Sequence, residues 1–300
     1  MFEGIYPPIP TPFDDDGMLA LDRLAVNIEK WNVASSGSSG LAGYVAMGTN
    51  GEAPHLSHDE AAQLVAAARK AALPSMKVIA GTGQLSTWAT VEATKRAADA
   101  GADAVLVVTP YYYKGEMTDS ALKRHFLAIA DASPAPVLVY NVPANTGFNI
   151  PISIVPDLAA HDNIAGIKDS AGDINQLSEL VRLTRGQNFE VLSGNFGALL
   201  PAMTFGVNGA ILAVANVAPI ECVAMFEAAR AGRWDEAGQL HLRLLPVARA
   251  VTSQFGVPGL KAALDLLGYY GGVPREPLLP VSESVRERIA KLLREAELMK

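Results

Sequence analysis

Eight short apolar runs, each followed by a helical pattern, constrain what this chain can fold into more than any other feature. They are Gly4–Pro8, Gly43–Met47, Val78–Ala80, Ala104–Val108, Val137–Tyr140, Ile164–Ile167, Glu190–Leu192 and Gly209–Ala213. The runs are continuous rather than alternating, and Gly, Pro or polar residues end each one. Strands of that kind are buried on both faces, as in a parallel sheet covered by helices. The intervening helices have readable ends. Ser57 and Glu60 form a capping-box pattern ahead of Ala61, Leu64, Val65 and Ala68, which fall on one face. Asp173 is placed to cap a helix containing Ile174, Leu177 and Val181, with Gly186 just past its end.

Eight β/α units in one chain predict a (β/α)8 TIM barrel, assigned to residues 1–218. Residues 219–300 carry only helical patterns, near Ile220–Ala231, Trp234–Ser253, Gly259–Leu267 and Ser284–Leu298. They predict an appended C-terminal helical layer packed on the barrel. A doubly wound open sheet accounts less well for eight evenly spaced units. The Ser35–Gly40 stretch, SSGSSG, reads as a flexible loop between the first helix and the second strand.

Composition supports a packed enzyme-sized domain and excludes other classes. Half of the 300 residues are hydrophobic and 18% are charged, which argues against disorder. The 31 acidic and 24 basic side chains give a net charge of −7, the wrong sign for a nucleic-acid surface. Cys222 is the single cysteine, so neither a disulfide framework nor a cysteine zinc site can be built, which suits a reducing compartment. The Met1–Pro10 segment lacks a basic n-region and a long apolar stretch, so it reads as neither a secretory signal nor a transit peptide. No apolar run approaches a membrane span. A cytoplasmic protein with no membrane or nucleic-acid partner is expected.

A barrel carries its site at the C-terminal ends of its strands. Here those ends read Gly48-Thr49-Asn50-Gly51-Glu52, Gly81-Thr82-Gly83, Thr109-Pro110-Tyr111-Tyr112, Tyr140-Asn141-Val142-Pro143, Lys168-Asp169-Ser170 and Ser193-Gly194-Asn195. Lys168 follows the buried run of strand six, whereas the other lysines fall on helical patterns, in loops or at the start of a strand (Lys77). A lysine held in a partly desolvated mouth can attack a carbonyl and form a Schiff base. The bland alternative pairs it with Asp169 or Glu52. Tyr140 ends the neighbouring strand, where a phenol can shuttle protons or simply line the rim. Gly48-Thr49-Asn50-Gly51 can converge backbone N–H groups on an anion, or be an ordinary tight turn.

Other chemistries find no support. His55 and His58 have no carboxylate ligand beside them at a strand end, and Asp14-Asp15-Asp16-Gly17 lacks the alternation of a calcium loop. Nucleophile-elbow, Walker and dinucleotide motifs are absent. A metal-free iminium mechanism is favoured over a metal-dependent aldolase.

The ordered set GTNGE, TPYYY, YNVPANTG and GIKDS resembles the dihydrodipicolinate synthase/N-acetylneuraminate lyase family of pyruvate-handling barrels, from Gly4 to about Pro280. The resemblance implies that Lys168 forms the imine, that Tyr140 shuttles protons, and that Thr49 links it toward solvent. It also implies that Tyr112 is lent by a neighbouring subunit of a homo-oligomer, a tetramer built as a dimer of dimers. Gly48, Thr49 and Asn50 would hold the pyruvate carboxylate, and the Ile211 carbonyl would lie near the imine. No cofactor beyond the covalent imine is implied.

Departures from the pattern bear on the second substrate. Dihydrodipicolinate synthases carry an arginine after the YNVP turn, where this chain has Asn145, so a bidentate carboxylate contact is lost. VPANTG, GTNGE, IKDSAGD, FGVPGLKAALDLLGYYGG and the longer SSGSSG loop resemble the 4-hydroxy-2-oxoglutarate aldolase branch instead. Thr49 and Asn141 stand where that branch usually has serine. The expectation is therefore cleavage of 4-hydroxy-2-oxoglutarate, or a similar 2-oxo-4-hydroxy acid, to pyruvate and glyoxylate, with Ser170 contacting the distal carboxylate or C4 hydroxyl. The alternatives are condensation of pyruvate with aspartate semialdehyde, another sugar-acid aldolase, dehydratase or deaminase of the family, and a non-catalytic pyruvate-binding barrel.

Overall fold

The computed structural model describes residues 2–34 and 40–300, so the expected SSGSSG loop lies, apart from Gly40, outside the described residues. Eight strands form: β1 (Gly4–Tyr6), β2 (Gly43–Ala46), β3 (Lys77–Gly81), β4 (Ala104–Val108), β5 (Val137–Asn141), β6 (Ile164–Asp169), β7 (Glu190–Ser193) and β8 (Gly209–Ile211). They hydrogen-bond in the order β1-β8-β7-β6-β5-β4-β3-β2. With helices alternating between them, this is the expected (β/α)8 barrel class, with helices following in the C-terminal segment.

Two compact units divide the chain. One runs from the N-terminus to Gly4 and resumes over Ile79–Ile211. Its parallel pairs β3–β4, β4–β5, β5–β6, β6–β7 and β7–β8 are in continuous register, apart from one shift in β5–β6. All five residues of β5 and the first four of β4 are buried, so the continuous apolar runs have the two-sided cover they required. Asp173 caps the helix Ile174–Thr184 by accepting from the Asn175 and Gln176 N–H groups, and Gly186 follows with φ 84°. Leu177 and Leu180 supply its buried stripe.

The second unit is Ile5–Val78 with Leu212–Lys300. Here the Ser57 capping box forms in full. Ser57 Oγ accepts from the Glu60 N–H at 3.2 Å, and Glu60 Oε2 accepts from the Ser57 N–H at 2.8 Å. The C-terminal helices are Pro219–Arg230, Trp234–Arg249, Gly256–Leu266 and Glu283–Glu295. The pattern over Trp234–Ser253 does not form one uniform helix, because its last turn widens into a π-helical segment, Ala250–Gln254, beyond Pro246. Pro246 has no N–H to give to the ladder, and such breaks are where helices bend or rewind. Among the described residues, no helix is long and apolar enough to cross a membrane.

Arg275 ties the far end of this unit to the capped helix. Its Nη2 lies 2.6 Å from Glu60 Oε1 and its Nη1 3.0 Å from Glu60 Oε2. These hydrogen bonds hold the Glu60 carboxyl at about 2, against an ordinary value of 4.5. A carboxyl lowered in the folded state contributes stability above its unfolded value, and that stability is lost as pH falls through the folded one. Between pH 4.5 and about 2, wild-type protein should therefore lose stability more steeply than Glu60→Gln. Urea midpoints across that range test this, and parallel slopes would assign the acid sensitivity to other groups.

Candidate active site

The site begins with a register. Val137 pairs with Ile164, but Leu138 pairs with Gly166, so Ala165 is an extra residue in β6. Because of that shift Tyr140 stands opposite Lys168 and Asn141 opposite Asp169. Unshifted pairing would set Tyr140 against Ile167. A one-residue slip moves a side chain to the other face of a sheet, so the irregularity decides whether the two residues meet. They do meet: Lys168 Nζ lies 4.1 Å from the centroid of the Tyr140 ring, and the two residues are only 4% and 5% exposed. The amine stands over the ring face, where a protonated lysine is held by the ring quadrupole. Lys168 lies within the hydrogen-bonded register of β6, opposite Leu192 on its other side, rather than beyond the strand's end.

Asp169 faces away from this pair. Its carboxylate accepts from Asn141 Nδ2 at 2.7 Å, Gln176 Nε2 at 2.5 Å and the Ala171 N–H at 3.0 Å. Burial pushes its carboxyl up, those hydrogen bonds pull it down, and the nearby Asp173 charge raises it further; the net direction is upward. Asp169 is thus held by amides, and Glu52 pairs with Lys261 within the second unit. Asn141 does more than substitute one polar group for another. It also donates to Asn149 Oδ1 at 3.0 Å and accepts from the Ile150 N–H at 3.0 Å, tying the segment after β5 to the end of β6.

Ser170 belongs to the same cluster. Its N–H donates to the Asn141 carbonyl at 2.9 Å, and the Gly194 N–H donates to the Asp169 carbonyl at 2.7 Å. A Cβ at Gly194 would overlap Ser170 Oγ and come within 2.9 Å of Lys168 Cε. The bare glycine therefore leaves the space in which the lysine stem and the serine hydroxyl converge.

The other candidates are placed as follows. Asn145 is exposed on the short helix Pro143–Thr146, and Ile211, 1% exposed, ends β8. Tyr112 follows β4, is 70% exposed and packs edge-on against Tyr113. Gly48, Thr49 and Asn50 form the turn after β2 in the second unit, closed by hydrogen bonds from the Gly51 N–H to the Gly48 carbonyl and from the Glu52 N–H to the Thr49 carbonyl. His55 has a carboxylate neighbour after all, with Nδ1 3.3 Å from Glu52 Oε2, yet among the described residues no group of three or more His, Cys, Asp or Glu could hold a metal ion.

Asn141 and Gly194 are visible at strand ends in the sequence, but their contacts with Asp169, Ser170 and Lys168 are non-local and no local pattern reports them. Gln176, in the first turn of the helix after β6, is missed as a partner of Asp169. Lys114 is missed as well. Its side chain crosses Gly147, where a Cβ would lie 2.6 Å from Lys114 Nζ, two residues beyond Asn145.

A lysine buried against a tyrosine near the ends of adjacent strands of a (β/α)8 barrel is an arrangement suited to Schiff-base chemistry on a carbonyl. The sequence of the Dihydrodipicolinate synthetase family matches residues 1–296, and this chain belongs to that family. It is 38% identical over 293 residues to the 4-hydroxy-tetrahydrodipicolinate synthase of Methanothrix thermoacetophila, covering 98% of this chain and 96% of the relative. It is 39% identical over 292 residues to the enzyme of the same name from Methanosphaerula palustris, covering 97% of each. The chloride-inhibited dihydrodipicolinate synthase of Acinetobacter baumannii, solved with pyruvate, superposes with a TM-score of 0.93 at 32% identity over the full length of both chains. Enzymes of this family are pyruvate-dependent and work through a covalent lysine–pyruvate imine.

Gly194→Ala should lower kcat by ~10²-fold, since it displaces Ser170 and the Lys168 stem by a fraction of a bond length to a full one. Turnover and thermal unfolding measured together test it; an unchanged kcat would show that the Ser170–Lys168 space is not used.

Proposed function

We propose that Lys168 is the imine-forming residue and that the chain joins pyruvate to aspartate semialdehyde. The observation that carries the imine assignment is the burial of Lys168 against Tyr140 at the end of β6. The synthase names of relatives matched over nearly their whole length support the condensation over the cleavage favoured by sequence motifs. In the proposed reaction the Lys168 amine adds to C2 of pyruvate, and loss of water gives a protonated imine. Loss of a C3 proton gives the enamine, which attacks the aldehyde carbon, and the new alkoxide takes a proton. The amino group of the second substrate then adds to the imine carbon, closing a ring and releasing Lys168.

Tyr140 would carry the protons, relayed by Thr49 and by Tyr112 of a neighbouring subunit, which makes the active unit a homo-oligomer. Gly48, Thr49 and Asn50 would take the pyruvate carboxylate. The Ile211 carbonyl would face the imine, and Ser170 the second substrate. With Asn145 in place of an arginine, the charge for the distal carboxylate would come from Lys114, whose amine lies beside the same turn. Asn145 also supports a second reading, in which the chain cleaves 4-hydroxy-2-oxoglutarate to pyruvate and glyoxylate through the same imine run in reverse.

Borohydride reduction in the presence of pyruvate should label Lys168, and peptide mapping identifies the site. Label elsewhere, or none on folded protein, would remove the imine assignment. Tyr140→Phe should lower kcat by ~10²–10⁴-fold, whereas a change in KM alone would make it a positioning residue. Consumption of pyruvate with aspartate semialdehyde is expected to exceed that with glyoxylate, and the reverse order would select the second reading. Lys114→Met should raise the KM of the aldehyde partner and leave half-saturation by pyruvate in the labelling assay unchanged.

A further inference from the structure

The second unit holds a buried charge cluster that the reaction scheme does not use. Glu52 follows directly on the Gly48–Gly51 turn, and its side chain is fully buried. Its Oε1 lies 2.7 Å from Lys261 Nζ, and its Oε2 accepts the Arg275 N–H at 2.9 Å. The Lys261 side chain is 1% exposed, donates a hydrogen bond to the Val273 carbonyl at 2.7 Å, and sits 4.7 Å from the Phe13 ring centroid. The Arg275 guanidinium lies 4.2 Å from the same ring and donates to the Gly17 and His55 carbonyls as well as to Glu60. Burial pushes the Lys261 amine down while Glu52 pulls it back up; burial has the larger effect.

The Gly48–Gly51 turn is flanked on both sides by residues in strained backbone conformations. Met47 has φ 56° and Glu52 φ 53°, both left-handed conformations that cost a residue with a side chain about 1–3 kcal/mol. Thr11 Oγ1 holds the last residue of the turn by donating to the Gly51 carbonyl at 2.6 Å. A buried ion pair is a poor source of net stability, because desolvation offsets most of its attraction. It is a good device for holding one residue in one place, since a displaced partner leaves a buried charge unpaired. Here the residue so held is the left-handed residue that directly follows the turn.

We infer that Glu52 is a positioning residue, locked by Lys261 and Arg275 so that the Gly48–Gly51 turn keeps the shape that receives the pyruvate carboxylate, a role that rests on the function proposed above. The C-terminal segment from Gly256 to Arg275 thereby governs pyruvate affinity without touching substrate.

The test is borohydride labelling of the full-length chain across a pyruvate titration, with thermal unfolding recorded for each variant. Glu52→Gln should raise the half-saturating pyruvate concentration by ~10–10²-fold, with label still formed on Lys168 at saturation. The double variant Glu52→Gln/Lys261→Met leaves no unpaired buried charge, so it keeps the test valid if the single variant does not fold; the same rise is expected. Leu293→Ala opens a cavity in the same unit at a fully buried position and should lower the unfolding temperature without moving half-saturation. Half-saturation unchanged in the Glu52 variants, or moved equally by Leu293→Ala, overturns the positioning role. Failure of wild-type protein to label at Lys168 would instead overturn the proposed function, and the positioning role with it.

Discussion

The pairing of β5 with β6 is the constraint on which the rest of the candidate site depends. A parallel pair fixes which side chains share a face, and the extra residue at Ala165 sets Lys168 beside Tyr140 instead of beside Asn141. One step further along the same register, the Asn141 carboxamide meets the Asp169 carboxylate on the opposite face. The two faces of one strand pair thus do different work. One presents an amine and an aromatic ring to the site, while the other locks the strands with hydrogen bonds. A slip in register would lose both at once, and this ties the Asn141–Asp169 contact to the placement of Lys168 beside Tyr140.

Two buried carboxylates, one in each compact unit, are satisfied in opposite ways. Asp169 is adjacent to Lys168 in sequence, and a salt bridge between them would stabilise the ammonium and blunt the amine. Strand alternation sends them to opposite faces, and Asp169 is satisfied by Asn141, Gln176 and a backbone N–H instead. Glu52 is treated in the opposite manner, with Lys261 and the Arg275 backbone as partners and the Arg275 guanidinium nearby. Amides hold a carboxylate without bringing a competing cation to the reacting pair. Cations hold one firmly where no amine has to remain a nucleophile.

The fold was legible because it is written in local patterns. Continuous apolar runs, the Ser57–Glu60 box and the Asp173 cap each appear where the sequence puts them, and element ends move by only a few residues. Lys168 was legible for the same reason, since strand and strand end lie within one short segment. What escaped was non-local. Nothing near Val137 or Ile164 announces the register shift, and the partners of Asp169 come from β5 and from the helix after β6. Lys261 carried a signal that was passed over. Among Leu260, Ala262, Ala263 and Leu264, which are all buried, a lysine has no solvent-facing side to occupy and must meet a buried acid.

The division between common and particular chemistry follows the same line. The proposed imine chemistry draws on the ends of β5 and β6 and the turn after β7, where Tyr140, Lys168 and a glycine that leaves space for the Lys168 stem and Ser170 come together. In the proposed reaction, choice of the second substrate would rest on charge supplied by loops at a distance from the imine. An arginine grips a carboxylate with two parallel hydrogen bonds that fix its plane, whereas a lysine offers a point charge on a flexible stem. With Asn145 on the turn and Lys114 lying across Gly147, this chain keeps a positive charge near that position but gives up the fork. Under the proposed condensation, the plane of the second substrate's carboxylate would then be set less tightly than an arginine sets it.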